Sequence, residues 1–196
     1  MNNPFAKVYY RVYRLGYKPL CAIFHLEVPG WENVPQEPVL LCGNHASAWD
    51  PIFLLMALPR EYPFRIMAKK QLFKIPVLGK FLTSVGVFPV DRGNSDINAI
   101  KTAIRSLRDG FSLILFPEGT RVKRKGQVQP KAGAAMMAIR SGVKMVPFFV
   151  GRTKRNVRVI FGKPYTPVYT GRNGTAEEYQ SNTDEVLRQC YELGGL

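Results

Sequence analysis

The chain has 196 residues, 46% of them hydrophobic and 21% charged, which excludes a disordered or low-complexity protein and allows one domain with a sizeable core. Twenty-eight basic residues against 14 acidic ones give a formal net charge of +14. That excess suits a polyanionic partner (nucleic acid, anionic lipid headgroups or a phosphorylated substrate) without choosing among them. Cys21, Cys42 and Cys190 are odd in number and set among apolar residues. They fit neither a disulfide framework nor a zinc site, and read as buried free thiols in a reducing compartment.

In chain order, residues 4–18 have the spacing of an amphipathic helix. Phe5, Val8, Tyr9, Val12 and Leu15 share one face, and Lys7, Arg11, Arg14 and Lys18 share the opposite one. A basic face beside an apolar, aromatic one is what contact with an anionic membrane surface requires. The competing reading is a helix packed on its own domain with a solvated basic side. Lys18-Pro19 is expected to end this helix, and Leu20–Phe24 to form a further short apolar piece. The N-terminus lacks the continuous apolar core of a cleavable signal. The expected division is residues 1–26 as an amphipathic, membrane-contacting segment and 27–196 as the main domain.

His25–Pro35 reads as a strand and turn, and Val39–Cys42 as a strand that opens into Gly43-Asn44-His45-Ala46-Ser47-Ala48-Trp49-Asp50-Pro51. Asp50-Pro51 looks like an N-cap and first helical residue for a helix over Ile52–Leu58. Between Glu37 and Arg60 the only formal charge is Asp50, but a polar, helix-breaking centre argues against a membrane span there. His45 therefore belongs to a strand-to-helix turn, where open α/β sheets place their ligands. Asp50 is spaced to accept from one imidazole nitrogen while the other takes a proton from a hydroxyl.

Further along, Phe64–Ala68 reads as a strand and Val77–Ser84 as a short helix. Gly86–Val90 is a strand ending at Asp91-Arg92, and residues 95–109 form a helix with Ile97, Ile100, Ile104 and Leu107 as its stripe. The near-continuous apolar run Phe111–Phe116 is a buried parallel strand that delivers Pro117-Glu118-Gly119-Thr120-Arg121, followed by a basic loop. A helix over 131–141, strands over Met145–Val150 and Val157–Phe161, and a last helix opened by a Thr175/Glu178 capping box complete the chain. The alternation predicts an α/β fold, a mainly parallel central sheet covered by helices. Its carboxyl edge would gather His45, Asp50, Asp91, Arg92, Glu118, Arg121, Lys69 and Lys70. Arginine forks and lysine charges of this kind bind phosphate oxygens, and Gly119 allows a close backbone approach.

Asn44-His45-x-Ser47-x-x-Asp50, Phe88-Pro-Val-Asp91-Arg92, Phe116-Pro-Glu118-Gly-Thr-Arg121 and Val146-Pro147 resemble the four ordered motifs of the 1-acyl-sn-glycerol-3-phosphate acyltransferases. Ala68-Lys69-Lys70-Gln71-Leu72-Phe73 is similar to their lysine-bearing segment. Gln71 stands where glutamate is common, and Phe148-Phe149 is bulkier than the usual aliphatic pair, which puts acyl or acceptor fit at issue. The resemblance implies transfer of an acyl group from acyl-CoA or an acidic acyl carrier protein to the free hydroxyl of 1-acyl-sn-glycerol-3-phosphate, giving phosphatidic acid. It implies His45 and Asp50 as the catalytic pair, and Arg92, Glu118, Gly119, Thr120 and Arg121 as binders of the acceptor's glycerol phosphate, with Lys69 or Lys70 assisting. It implies no metal or redox cofactor, no nucleic-acid partner, and a peripheral or monotopic place on the cytoplasmic face of a membrane. Another lyso-lipid or glycerol phosphate is an alternative acceptor. A serine hydrolase lacks its Gly-x-Ser-x-Gly elbow here. A non-catalytic basic binding protein would explain the charge but not the His–Asp turn.

Overall fold

The computed structural model describes residues 5–59, 62–91 and 96–196, apart from the side chains of Ala6, Tyr9 and Val12. Seven strands form one sheet: β1 (His25–Glu27), β2 (Leu40–Gly43), β3 (Phe64–Lys69), β4 (Val87–Val90), β5 (Ser112–Leu115), β6 (Met145–Thr153) and β7 (Asn156–Phe161). Their spatial order is β1-β7-β6-β2-β5-β3-β4. From β6 to β4 every neighbouring pair is parallel. β7 folds back antiparallel on β6, and β1 then pairs parallel with β7, His25 opposite Asn156. The mainly parallel sheet expected from the sequence is thus present, with a reversed two-strand margin.

The central strands carry apolar residues continuously because both faces are covered. All of Leu40–Gly43 and Ser112–Leu115 is buried. On one face Leu41, Ile66, Ile114 and Phe148 meet Phe53 and Leu54 of α2 (Asp50–Ala57), with α1 (Ala6–Ile23) and α3 (Pro76–Ser84) alongside. On the other, Leu40, Cys42, Leu113 and Leu115 meet α4 (Ile97–Arg108), α5 (Gly133–Ser141) and α6 (Ala176–Leu193). α6 begins with the expected reciprocal bonds between Thr175 and Glu178.

Two expectations are corrected. α1 does not stop at Lys18-Pro19 but runs through Pro19 to Ile23. The missing proline N–H strands only the carbonyl of Leu15, a residue 69% exposed and open to water, while Tyr17, Leu20 and Cys21 hold the last turns on the core. In α4 the expected stripe holds at Leu107, which is buried, and at Ile100 and Ile104, which pack on the core, but Ile97 is exposed, and Ala99, Ala103 and Ser106 are the other buried positions. Small residues let α4 approach closely, and Ile97 begins the helix at its open end. Among the described residues, no helix is long and apolar enough to cross a membrane.

Candidate active site

The turn after β2 is fixed before His45 is reached. Gly43 has no alternative: a Cβ there would lie 2.2 Å from the Phe148 ring, which crosses directly over it. Asn44 is buried, and its side chain behaves as one more rung of the ladder. Its amide nitrogen donates to the Val150 carbonyl at 3.0 Å, and its oxygen accepts from the Val150 N–H at 2.8 Å. Its own backbone N–H reaches the Cys190 sulfur at 3.2 Å, and that thiol donates to the Phe148 carbonyl at 2.8 Å. Burial pushes the Cys190 thiol up to about 12, which keeps the S–H donor in place.

His45 Nδ1 lies 3.1 Å from Asp50 Oδ2. The two side chains are 12% and 5% exposed. Asp50 is not the helix cap that its place before Pro51 implied. Trp49 occupies the cap position, no side chain caps the helix, and the Asp50 carboxylate turns back to take the Ser47 N–H at 2.6 Å as well as the imidazole. With Nδ1 donating to the carboxylate, Nε2 is the basic nitrogen. The ring stacks on Phe116 at 4.3 Å between centroids, and Phe116 rests edge-on against Phe148. Phe148 therefore supports the imidazole from behind and does not line the cavity described below, although its bulk had raised the question of substrate fit.

Beyond β5, Pro117–Arg121 folds under this turn. Glu118 is 2% exposed. One carboxylate oxygen accepts the His45 backbone N–H at 3.1 Å and the other accepts the Tyr191 hydroxyl from α6. Burial raises the Glu118 carboxyl above its ordinary range, opposed by these two hydrogen bonds. Glu118, grouped with the acceptor-binding residues by sequence, thus faces inward and braces the His45 loop. The Val122 N–H donates to the His45 carbonyl at 2.7 Å, so both sides of the His45 backbone are tied to the same segment. Gly119 takes φ 67, and a Cβ there would lie 3.1 Å from the Lys131 side chain.

A cavity of about 680 Å³ opens beside the imidazole, between the sheet and α1, α2 and α3. His45, Lys69 and Arg121 line it, and the rest of its wall is almost wholly apolar. Ala68, Ile66 and Phe64 line it in turn, so at about 3.3 Å per residue it reaches roughly 13 Å below the strand edge. The volume is that of a ligand site. On the other face lies a cavity of about 460 Å³ lined by Asp91, Asp96, Gly119 and Lys131, with Met67 and Phe116 bordering both spaces.

The structure therefore gathers His45, Asp50, Lys69 and Arg121 around one opening and puts Gly119 at the other. Thr120 is exposed between them, and Lys70 is exposed at the start of a 3₁₀ turn, Lys70–Lys74. Arg92 lies outside the described residues. In α1 the domain takes Tyr13, Gly16, Tyr17 and Leu20 as cavity wall, leaving Val8 and Leu15 exposed beside the exposed Lys7, Arg11, Arg14 and Lys18. Phe5 is turned to the Phe111 ring and the Arg65 guanidinium, and the side chains of Tyr9 and Val12 lie outside the description. Sequence reading gave no role to Asn44, Tyr191, Cys190 or Phe116. Asn44 and Phe116 stood inside the quoted motifs, but nothing in the sequence links Tyr191 or Cys190 to a turn so far up the chain.

A family model described as Acyltransferase matches residues 25–151. The chain is 32% identical over 158 residues to a chloroplastic 1-acyl-sn-glycerol-3-phosphate acyltransferase of Arabidopsis thaliana, covering 72% of this chain and 44% of that protein. It is 37% identical over 124 residues to the 1-acyl-sn-glycerol-3-phosphate acyltransferase of Borreliella burgdorferi, covering 61% and 48%. The chain thus spans about half the length of these relatives. It is 34% identical over 170 residues to the Bacillus subtilis protein of the same name, covering 83% and 84%. In fold it resembles the crystal structure of the 1-acyl-sn-glycerophosphate acyltransferase PlsC from Thermotoga maritima, with a TM-score of 0.71 at 24% identity over 96% of this chain and 80% of that one.

Proposed function

The chain belongs to the Acyltransferase family, and from that membership we propose that it transfers an acyl group from a thioester to the free hydroxyl of 1-acyl-sn-glycerol-3-phosphate, forming phosphatidic acid. The observation that carries this reading is the imidazole itself. His45 is held through Nδ1 by a buried carboxylate and stands in the wall of a deep apolar cavity, next to a lysine and an arginine. An acyl chain is the ligand such a cavity suits, and a phosphate is what the two cations suit.

In the proposed reaction Nε2 takes the acceptor's hydroxyl proton as the oxygen attacks the thioester carbonyl. The tetrahedral intermediate collapses with loss of the thiolate, and the proton held on Nε2 passes to the leaving sulfur. Asp50 keeps the imidazole in one tautomer and stabilises its cation. Arg121 and Lys69 hold the acceptor's phosphate. Arg92, Thr120 and Lys70 are proposed as its outer contacts, and Gly119, at φ 67, as the turn that aims Thr120 and Arg121. Glu118 acts through the backbone of His45. The donor is acyl-CoA or an acyl carrier protein, both polyanionic, in keeping with a net charge of +14. Membrane attachment through α1 rests on Val8 and Leu15, exposed among four cations with no acidic residue before Glu27.

The test is thiol release from acyl-CoA and from acyl carrier protein, measured with a panel of lyso-acceptors. Release should require an acceptor carrying phosphate and yield phosphatidic acid. Equal release with no acceptor would make the protein a thioesterase instead.

A further inference from the structure

The 3₁₀ turn Lys70–Lys74 and α3 form the outer wall of the large cavity, and part of their apolar surface is left uncovered by the described residues. Leu78 and Leu82 of α3 face the cavity. On the same short helix Val77 is 84% exposed and Ile75 just before it is 51% exposed, while Phe81 stands at the rim of the cavity that it also lines. Val77, Phe81, Leu78 and Leu82 form one broad apolar face, and such a face is normally enclosed across its whole width. This one is also held firmly in its position. Gly79 packs so tightly on the preceding turn that a Cβ would lie 2.5 Å from the Phe73 carbonyl oxygen. The exposed side chains are therefore presented by a fixed element.

Charge identifies what covers them. From Tyr62 to Val90 there is no acidic residue, while Lys70, Lys74 and Lys80 stand exposed around the apolar group. Aliphatic tips ringed by lysines match an anionic bilayer, where the tips enter the acyl region and the ammonium groups stay with the headgroups. We propose that the Lys70–Ser84 segment is a second membrane-docking element, which seats the mouth of the cavity on an anionic lipid surface and lets a lipid chain pass between bilayer and cavity without crossing water. This rests on the proposed lipid substrate for its purpose, but the contact itself is tested separately.

The probe is the full-length Val77→Trp variant with vesicles of phosphatidylcholine, with and without phosphatidylglycerol, and with bromine-labelled acyl chains. Relative to the parent protein, the added indole should shift to the blue and be quenched by the bromolipid only when phosphatidylglycerol is present. An indole that emits as in buffer while the protein sediments with vesicles would overturn the proposal. Lys74→Glu combined with Lys80→Glu should weaken vesicle binding on the order of tenfold or more. Turnover of short-chain, monomeric donor and acceptor should remain unchanged, because neither lysine lines the cavity. If vesicle binding holds while use of an acidic carrier-protein donor is lost, the face docks a protein and the lipid assignment falls. Absence of all turnover in the parent protein would instead sink the acyltransfer reading and leave the fluorescence result standing.

Discussion

Tyr191, near the end of the last helix, donates its hydroxyl to the carboxylate of Glu118, whose other oxygen holds the backbone N–H of His45. A side chain outside the cavity wall thereby braces the turn that carries the imidazole. Tyr191→Phe leaves one Glu118 oxygen buried without its donor, a cost of about 1–3 kcal/mol. Thermal unfolding should show that loss. Kinetics should show kcat falling more than KM changes, because the catalytic group is displaced while the binding surfaces remain.

Loss of the imidazole itself is more severe. His45→Ala should lower the chemical rate by about 10²–10⁴-fold with the fold retained. Asp50→Asn should approach the same loss, since an amide no longer fixes the tautomer. A His45→Ala protein that turns over normally would remove the general base from the mechanism.

Arg121→Ala and Lys69→Ala each remove a charged contact worth about 1.5–3 kcal/mol. KM for the phosphorylated acceptor should rise by about tenfold or more, while KM for the donor stays as it was. A change confined to the donor would move the phosphate site elsewhere.

Glu118 links pH to stability. Its carboxyl titrates above the ordinary value of 4.5 because burial opposes the charge. The folded protein therefore holds this proton more tightly than the unfolded chain. That contribution is fully present below 4.5 and is lost as pH rises through the elevated folded value. Glu118→Gln can keep both partners, with its oxygen on the His45 N–H and its amide on the Tyr191 oxygen. Urea midpoints measured across that interval should decline with pH more in the parent than in the variant.

Chain-length selectivity tests the large cavity. Leu82 lines it from α3 and is only partly buried, so Leu82→Trp narrows the space without opening the core. Long-chain donors should lose kcat/KM relative to short ones. A uniform change across chain lengths would separate the cavity from the acyl group.

Much of this arrangement was legible in the chain. Strand-length apolar runs bounded by Gly and Pro place β2 and β5, and both deliver their polar turns to one edge because the intervening segments are helical. The geometry of individual carboxylates was not legible. Asp50-Pro51 has the local form of a cap, and only the position of the imidazole ring reverses it. Glu118 reads as a ligand group because a sequence does not show that Tyr191 and the His45 N–H already take both its oxygens. Pro19 likewise reads as a stop, since the contacts that carry α1 past it come from distant strands.

The reversed margin of the sheet sets an order of assembly. His25 can pair only once Asn156 has been synthesised, so α1 is made long before β7 exists to anchor its base. Contacts so far apart in sequence close late in folding. Until then α1 has no strand to fix its base, so the cavity wall that Tyr13, Tyr17 and Leu20 supply is among the later parts to close.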